Sequence, residues 1–175
     1  MSKSSFIIRE AQPEEHQALG AIMVDVYSSL EGFPQPDEKP GYYQMLQNVG
    51  ELTQKESISI FVALSSTDKV LGGVVYMRRL KDYGAPGLVT TIPQASGFRL
   101  LAVLPETRGM GVGKALIQKC IDQTKVDGNQ QLIIHSTEFM KVAWGMYERM
   151  GFSRFPDIDF QQGQLNVYGF KLNID

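Results

Sequence analysis

The chain has 175 residues, 43% hydrophobic and 21% charged, which is enough apolar material for the core of one ordinary domain. A net charge of −2 argues against a broad polyanion-binding surface, and so against nucleic acid as a partner. The single cysteine, Cys120, excludes an intramolecular disulfide framework and a cysteine-rich zinc site; with only His16 and His135 besides, no metal is expected.

Residues 5–10 (SFIIRE) form a short apolar run closed by Pro13 and read as a first strand. Pro13, Glu14 and Glu15 then suit a helix start, because proline fits the first turn and acids favour the positive end of the dipole. Leu19, Ile22, Met23, Val26, Tyr27 and Leu30 recur at helical spacing until Gly32, where GFPQP breaks the helix. A second helix is predicted over 41–54, with Tyr42, Met45, Leu46 and Val49 on one face. Residues 58–64 and 70–77 read as strands, joined by a Ser65-Ser66-Thr67-Asp68 turn into an antiparallel hairpin. The stretch 79–94 holds two prolines, two glycines and no period, and reads as an irregular loop.

Residues 97–104 (GFRLLAVL) read as a central strand closed by Pro105. A helix over 110–126 turns Ala115, Leu116, Cys120 and Ile121 inward, and 132–134 is a further buried strand. Residues 139–150 form a helix with Met140, Ala143, Met146, Tyr147 and Met150 along one side and Gly151 at its end. Two last strands, 153–160 and 164–173, flank Gln161-Gln162-Gly163. With no repeat, low-complexity tract or linker, a single domain over 1–175 is expected. No apolar run approaches the ~18 residues that cross a bilayer, and the opening stretch has no long apolar segment followed by small residues. The expectation is therefore a cytoplasmic protein with no membrane partner.

The segment LLAVLPETRGMGVGKALIQKC runs strand, turn, glycine-rich loop, helix. Glycines at 109, 111 and 113 let backbone N–H groups approach an anion, and the helix that follows adds its own unpaired N–H groups and positive dipole end. Arg108 and Lys114 add positive charge, so the loop suits a pyrophosphate. A Walker A loop is excluded, because Arg108 stands where its first glycine belongs and Ala115 follows the lysine. A GxGxxG dinucleotide loop starting at Gly109 fails at Lys114, and the Pro-Glu-Thr-Arg turn is too long for that entry. The pattern that fits is R-x-x-G-x-G from Arg108.

Taken together, LAVLPETRGMGVGKAL and AWGMYERMGF resemble the acetyl-CoA motif and the following helix-turn of the GNAT superfamily of N-acetyltransferases, and the elements come in the family's order over essentially the whole chain. RLLAV, HSTEFM and GFSRFPDIDF resemble a broad bacterial subgroup with mostly unassigned substrates. The resemblance implies an α/β (α+β) fold, GNAT-type, with a mixed, mostly antiparallel central sheet of six to seven strands flanked by about four helices. It implies acetyl-CoA as co-substrate, lying where the fourth and fifth strands splay apart. The backbone of Leu101, Ala102 and Val103 would pair with the pantetheine arm and stabilise the thioester oxyanion. Arg108, Gly109, Met110, Gly111, Val112, Gly113 and Lys114 would hold the pyrophosphate. Tyr147 matches the family's general acid, which protonates the leaving thiolate; the alternative is a tyrosine that only packs beside Ala143 and Met150.

Two departures from the family pattern stand out. A glutamate often lies two residues before the strand's arginine, and here that position is Gly97, before Phe98-Arg99. The asparagine seven residues before the tyrosine is Met140. The base is therefore open among Glu31, Asp82, His135, Glu138, Asp157 and Asp159. Tyr27, Glu31, Phe33 and His135 are candidate acceptor-site residues, with Tyr42 and Tyr43 extending an aromatic wall. Arg78, Arg79 and Lys81 read as a solvated basic run. Cys120 faces the core, so a covalent enzyme intermediate is not expected. The expected activity is direct transfer of acetyl from acetyl-CoA to the primary amine of a small molecule. A protein or peptide N-acetyltransferase and a non-catalytic acyl-CoA sensor are the alternatives. The apolar last strand, NVYGFKL, permits a homodimer.

Overall fold

The computed structural model describes residues 5–174. The domain bounds of 1–175, and the first four residues of the opening stretch, extend outside these. In chain order the elements are β1 (Phe6–Glu10), α1 (His16–Ser28), α2 (Pro40–Gln47), β2 (Ile58–Ser65), β3 (Val70–Met77), β4 (Ala95–Val103), α3 (Val112–Val126), β5 (Gln131–Ser136), α4 (Lys141–Arg149), β6 (Ser153–Arg154), β7 (Phe160–Gln162) and β8 (Leu165–Asn173). They form one sheet in the order β1-β2-β3-β4-β5-β8-β6, with β7 also on β8. Every pairing is antiparallel except β4 with β5. This is the mixed, mostly antiparallel sheet and four flanking helices that the sequence led us to expect. No helix among the described residues is long and apolar enough to cross a membrane.

Helices cover both faces of the sheet, which explains why β2 and β3 are apolar at nearly every position. Alternate residues go to opposite cores: Ile60, Val62, Leu64, Val75 and Met77 pack with Leu19 and Met23 of α1 and Leu46 of α2. Phe61, Ala63, Val74 and Tyr76 pack instead with Leu116, Ile117 and Cys120 of α3. The start of α1 is fixed to β1 by a bidentate Arg9–Glu15 pair, at 2.9 and 2.8 Å. Trp144 of α4 docks edge-on against Phe170 of β8, with ring centroids 4.7 Å apart.

β4 controls the geometry of the site. Against β3 its register runs from Val75↔Arg99 to Gly73↔Ala102, so β4 carries one residue more than its partner there. The surplus falls beside Leu100, whose φ is +62°, a left-handed conformation that a leucine adopts only when its surroundings impose it. On its other edge β4 pairs with β5 only at Ala95↔Gln131, Ser96↔Leu132 and Gly97↔Ile133. Beyond Gly97 the two strands part.

Eight strands stand where six to seven were expected, because 153–160 is not continuous. Pro156 cannot donate to a ladder and opens a 3-10 turn (Pro156–Ile158) that separates β6 from β7. The predicted helix over 41–54 is also divided, into α2 and a 3-10 turn (Val49–Gln54). α3 begins two residues later than predicted, at Val112, because Gly109 and Gly111 have φ of +85° and +82°. The turn between β6 and β7 is pinned by Asp159. This residue accepts from Arg154 Nη1 at 3.0 Å and Nη2 at 2.6 Å, and from the Gly169 N–H at 2.6 Å. Asp159→Ala leaves that N–H without its partner and should cost about 1–3 kcal/mol. An unchanged urea midpoint would show that the turn holds without it.

Candidate active site

The parting of β4 and β5 opens a cavity of ≈ 160 Å³. Tyr27, Phe33 and Tyr42 wall one side, His135, Ser136 and Thr137 of β5 and its exit another, and Phe160 of β7 with Val167 of β8 a third. Tyr147 reaches it from α4 and Tyr83 from the loop after β3. The aromatic wall is contiguous: Tyr27, Phe33 and Tyr42 lie within 5.9–6.3 Å of one another, ring to ring. The Tyr27 hydroxyl donates to the Leu101 carbonyl at 3.0 Å, fastening α1 to the strand just after its extra residue. Tyr43 lies outside this wall and donates to the Pro34 carbonyl at 2.6 Å.

Tyr147 is 5% exposed and packs against Phe98, Phe152 and Phe170 at 5.9, 5.7 and 6.2 Å. Its hydroxyl makes no hydrogen bond with a described residue, and it borders the cavity. Burial, with the neighbouring Tyr83 adding to it, pushes the phenol well above its ordinary value, so the proton stays on across the neutral range.

The loop beyond β4 leaves a run of backbone donors unpaired. The backbone N–H groups of Gly109, Gly111, Val112, Gly113 and Lys114 find no backbone acceptor among the described residues. A Cβ at Gly109 or Gly111 would meet nothing within 4 Å, so the space above the loop is open. Arg108 and Lys114 are exposed, with no described acid pairing either. Unpaired donors at the start of a helix, flanked by two free cations, fit a di-anion. The Leu101–Val103 stretch has no β5 partner, and its outer edge faces the cleft.

Of the acids considered for the base, none lines the cavity. Glu31, Glu138 and Asp157 are exposed. Asp82 accepts from Ser57 Oγ at 2.6 Å, and Asp159 is committed to Arg154 and Gly169. Cys120 is 0% exposed, and burial pushes its thiol far up. Only His135 reaches the site. Its Nε2 lies 2.8 Å from the Ile158 carbonyl, which can only accept, so Nε2 carries the proton and Nδ1 is left to accept from the Tyr83 hydroxyl at 3.0 Å.

Tyr83 and Ser136 have no counterpart in the sequence reading. Tyr83 fills the space that Gly97 leaves: a Cβ on Gly97 would lie 2.6 Å from Tyr83 Cδ1. The only advance signal was the glycine itself, standing where a glutamate is frequent. Ser136 is 1% exposed, and its Oγ is buried with no hydrogen-bond partner among the described residues. Arg99, read only as a landmark on its strand, projects to the same cavity.

A sequence profile described as an acetyltransferase (GNAT) domain matches residues 56–154. N-alpha-acetyltransferase 30 of Schizosaccharomyces pombe is 34% identical over 56 residues, 32% of this chain; the match spans 37% of that protein's length. A GNAT-family acetyltransferase from Staphylococcus aureus superposes with a TM-score of 0.75 at 16% identity, over 98% of this chain and 100% of that one. A ribosomal-protein-alanine N-acetyltransferase from Brucella melitensis gives 0.68 at 19% identity, over 95% and 99%. An acetyltransferase from Salmonella typhimurium, solved with its cofactor acetyl-CoA, gives 0.66 at 15%, over 98% and 95%. At these identities the structural likenesses establish the fold.

His135 supplies a pH test. Burial, helped by Arg99 and Arg154 and opposed by the Ile158 carbonyl and Asp159, holds the imidazole below its ordinary value of 6.5. The unfolded chain therefore binds the proton first, and this stability is present above about pH 6.5 and lost as pH falls through the lower, folded value. His135→Gln should show a smaller loss of urea midpoint between about pH 7.5 and pH 5 than the wild type. Equal losses would mean that the folded imidazole protonates as readily as the free one.

Proposed function

The chain belongs to the GNAT acetyltransferase family, and from that premise we propose that it moves an acetyl group from acetyl-CoA to the primary amine of a small molecule by direct attack. The observation that carries this reading is the meeting of three features along one strand. These are a loop of unpaired N–H groups after β4, a strand edge over 101–103 with no β5 partner, and Tyr147 at the cavity that edge borders.

Acetyl-CoA supplies the acyl group as an activated thioester. The residues of the chain do the rest. Gly109, Gly111, Val112, Gly113 and Lys114 take the pyrophosphate on backbone donors, with flanking charge from Arg108 and Lys114, while the Met110 N–H stays with the Thr107 carbonyl at 3.1 Å. Leu101, Ala102 and Val103 offer the strand edge to the pantetheine amides, and a backbone N–H there faces the carbonyl oxygen as charge gathers on it. An N–C bond forms and a C–S bond breaks; one proton leaves the amine, one reaches sulfur, and the products are an N-acetyl amide and free thiol. Tyr147 gives sulfur its proton. The same burial that makes the phenol a weaker acid also makes a thiolate in this cavity a stronger base, so the transfer stays matched. His135, with Nδ1 accepting through Tyr83, is the group at the cavity able to take the amine's proton.

The small, aromatic-walled cavity supports a compact acceptor over an extended peptide. A second reading, acetylation of a protein N-terminus, rests on the likeness to N-alpha-acetyltransferase 30 and to the ribosomal-protein-alanine enzyme. Thiol release from acetyl-CoA across small amines and N-terminal peptides separates the two. Tyr147→Phe should lower kcat by about 10²–10⁴-fold while acetyl-CoA still binds. Near-wild-type turnover with intact binding would remove the general-acid role. Saturable acetyl-CoA binding with no turnover on any amine or peptide would replace the enzyme with a sensor.

A further inference from the structure

The acceptor side of the cavity carries one formal charge, and nothing in its walls balances it. Arg99 is half-buried on β4, near enough to Tyr27, Tyr42, Tyr83 and His135 to act on each electrostatically. Its Nη1 donates to the Tyr83 carbonyl at 3.1 Å, which fixes the group without neutralising it. Among the described residues, no carboxylate lies within salt-bridge distance of it and no Asp or Glu lines the cavity. A guanidinium has five N–H donors in a planar fork, so a face of Arg99 remains able to take a carboxylate in bidentate fashion.

An amine arrives in water mostly as an ammonium ion. A simple cationic amine, a polyamine or a lysine side chain would bring positive charge to a site that already holds Arg99 and offers no acid in return. An acceptor that carries its own carboxylate enters with no net charge and supplies the missing partner. Resting on the acetyl-transfer reading, we propose that the acceptor is an amino acid with an apolar or aromatic side chain, its carboxylate held by Arg99. The side chain lies against Tyr27, Phe33 and Tyr42. Ser136 also lines this cavity, and its buried Oγ has no hydrogen-bond partner among the described residues, which is costly.

The test compares matched acceptors on the purified protein with acetyl-CoA, reading thiol release for phenylalanine, phenylalaninamide and phenethylamine, and for the corresponding leucine set. Rates are compared per concentration of unprotonated amine, because removing the carboxylate's charge alters the amine's own pKa. The carboxylate form should have the higher kcat/KM by on the order of 10- to 100-fold, with the difference residing in KM. Arg99→Gln should bring the three forms to within about threefold of one another, and Arg99→Lys should restore part of the preference. An amide or amine matching its acid, or a preference retained in Arg99→Gln, overturns the proposal and leaves acetyl transfer standing. Turnover of no acceptor of any kind overturns both. Acetyl-CoA binding shows that the variant is folded, and if it is not, the wild-type comparison decides alone.

Discussion

Everything at the site follows from β4 leaving its parallel partner after three paired positions. A parallel pair is held by evenly spaced backbone hydrogen bonds, and ending it exposes donors and acceptors in the middle of a sheet that is otherwise covered on both faces. The protein sustains that exposure at identifiable points. An extra residue at Leu100 turns the strand through a left-handed φ. The Tyr27 hydroxyl satisfies the carbonyl next to it, and Tyr147 and the β7–β8 hairpin fill the wedge from the far side. Leu100 is buried in the core that α1 shares with the sheet, the kind of packed surroundings that hold a residue in such a conformation.

The gap has a characteristic electrostatic environment. Burial pushes up the phenols of Tyr27, Tyr83 and Tyr147, that of Tyr42 to about 12, and holds His135 down, so the titratable groups at the cavity share a preference for their neutral forms. Neutral groups that can still exchange protons suit a reaction in which an amine loses one and a sulfur gains one. Arg99 is the exception, because a guanidinium keeps its charge under all these conditions. It is therefore the feature of the cavity most able to discriminate among acceptors.

The donor half of this arrangement was legible in the sequence because it is local. Strand, turn, glycines and helix start are contiguous from Leu100 to Lys114, and the glycine positions together with Ala115 and the Pro-Glu-Thr-Arg turn exclude two other phosphate loops. The hairpin and both covered strands were legible for the same reason, as uninterrupted apolar runs between turn residues. The acceptor half is assembled from α1, α2, the loop after β3, β5 and the terminal hairpin, which meet only when the sheet forms. Tyr83 sits in a stretch without period, and Ser136 resembles any strand-end serine until its hydroxyl proves unpartnered. The β6–β7 break falls at Pro156, inside the stretch 153–160 that reads as one strand, because a proline cannot donate to the ladder.

Gly97 and Tyr83 share one volume, and this limits how the protein can change over generations. A side chain at 97 collides with the tyrosine ring, while a small residue at 83 leaves a void beside a buried glycine and strips His135 of the donor to its Nδ1. Either substitution alone is disfavoured, although the pair together could place a carboxylate where the phenol now stands. Relatives with an acid on the strand and relatives with an aromatic in the loop would then occupy separate peaks joined by no single viable step. Positions 83 and 97 should therefore be inherited as a unit, and the pair marks a lineage more sharply than either residue does alone.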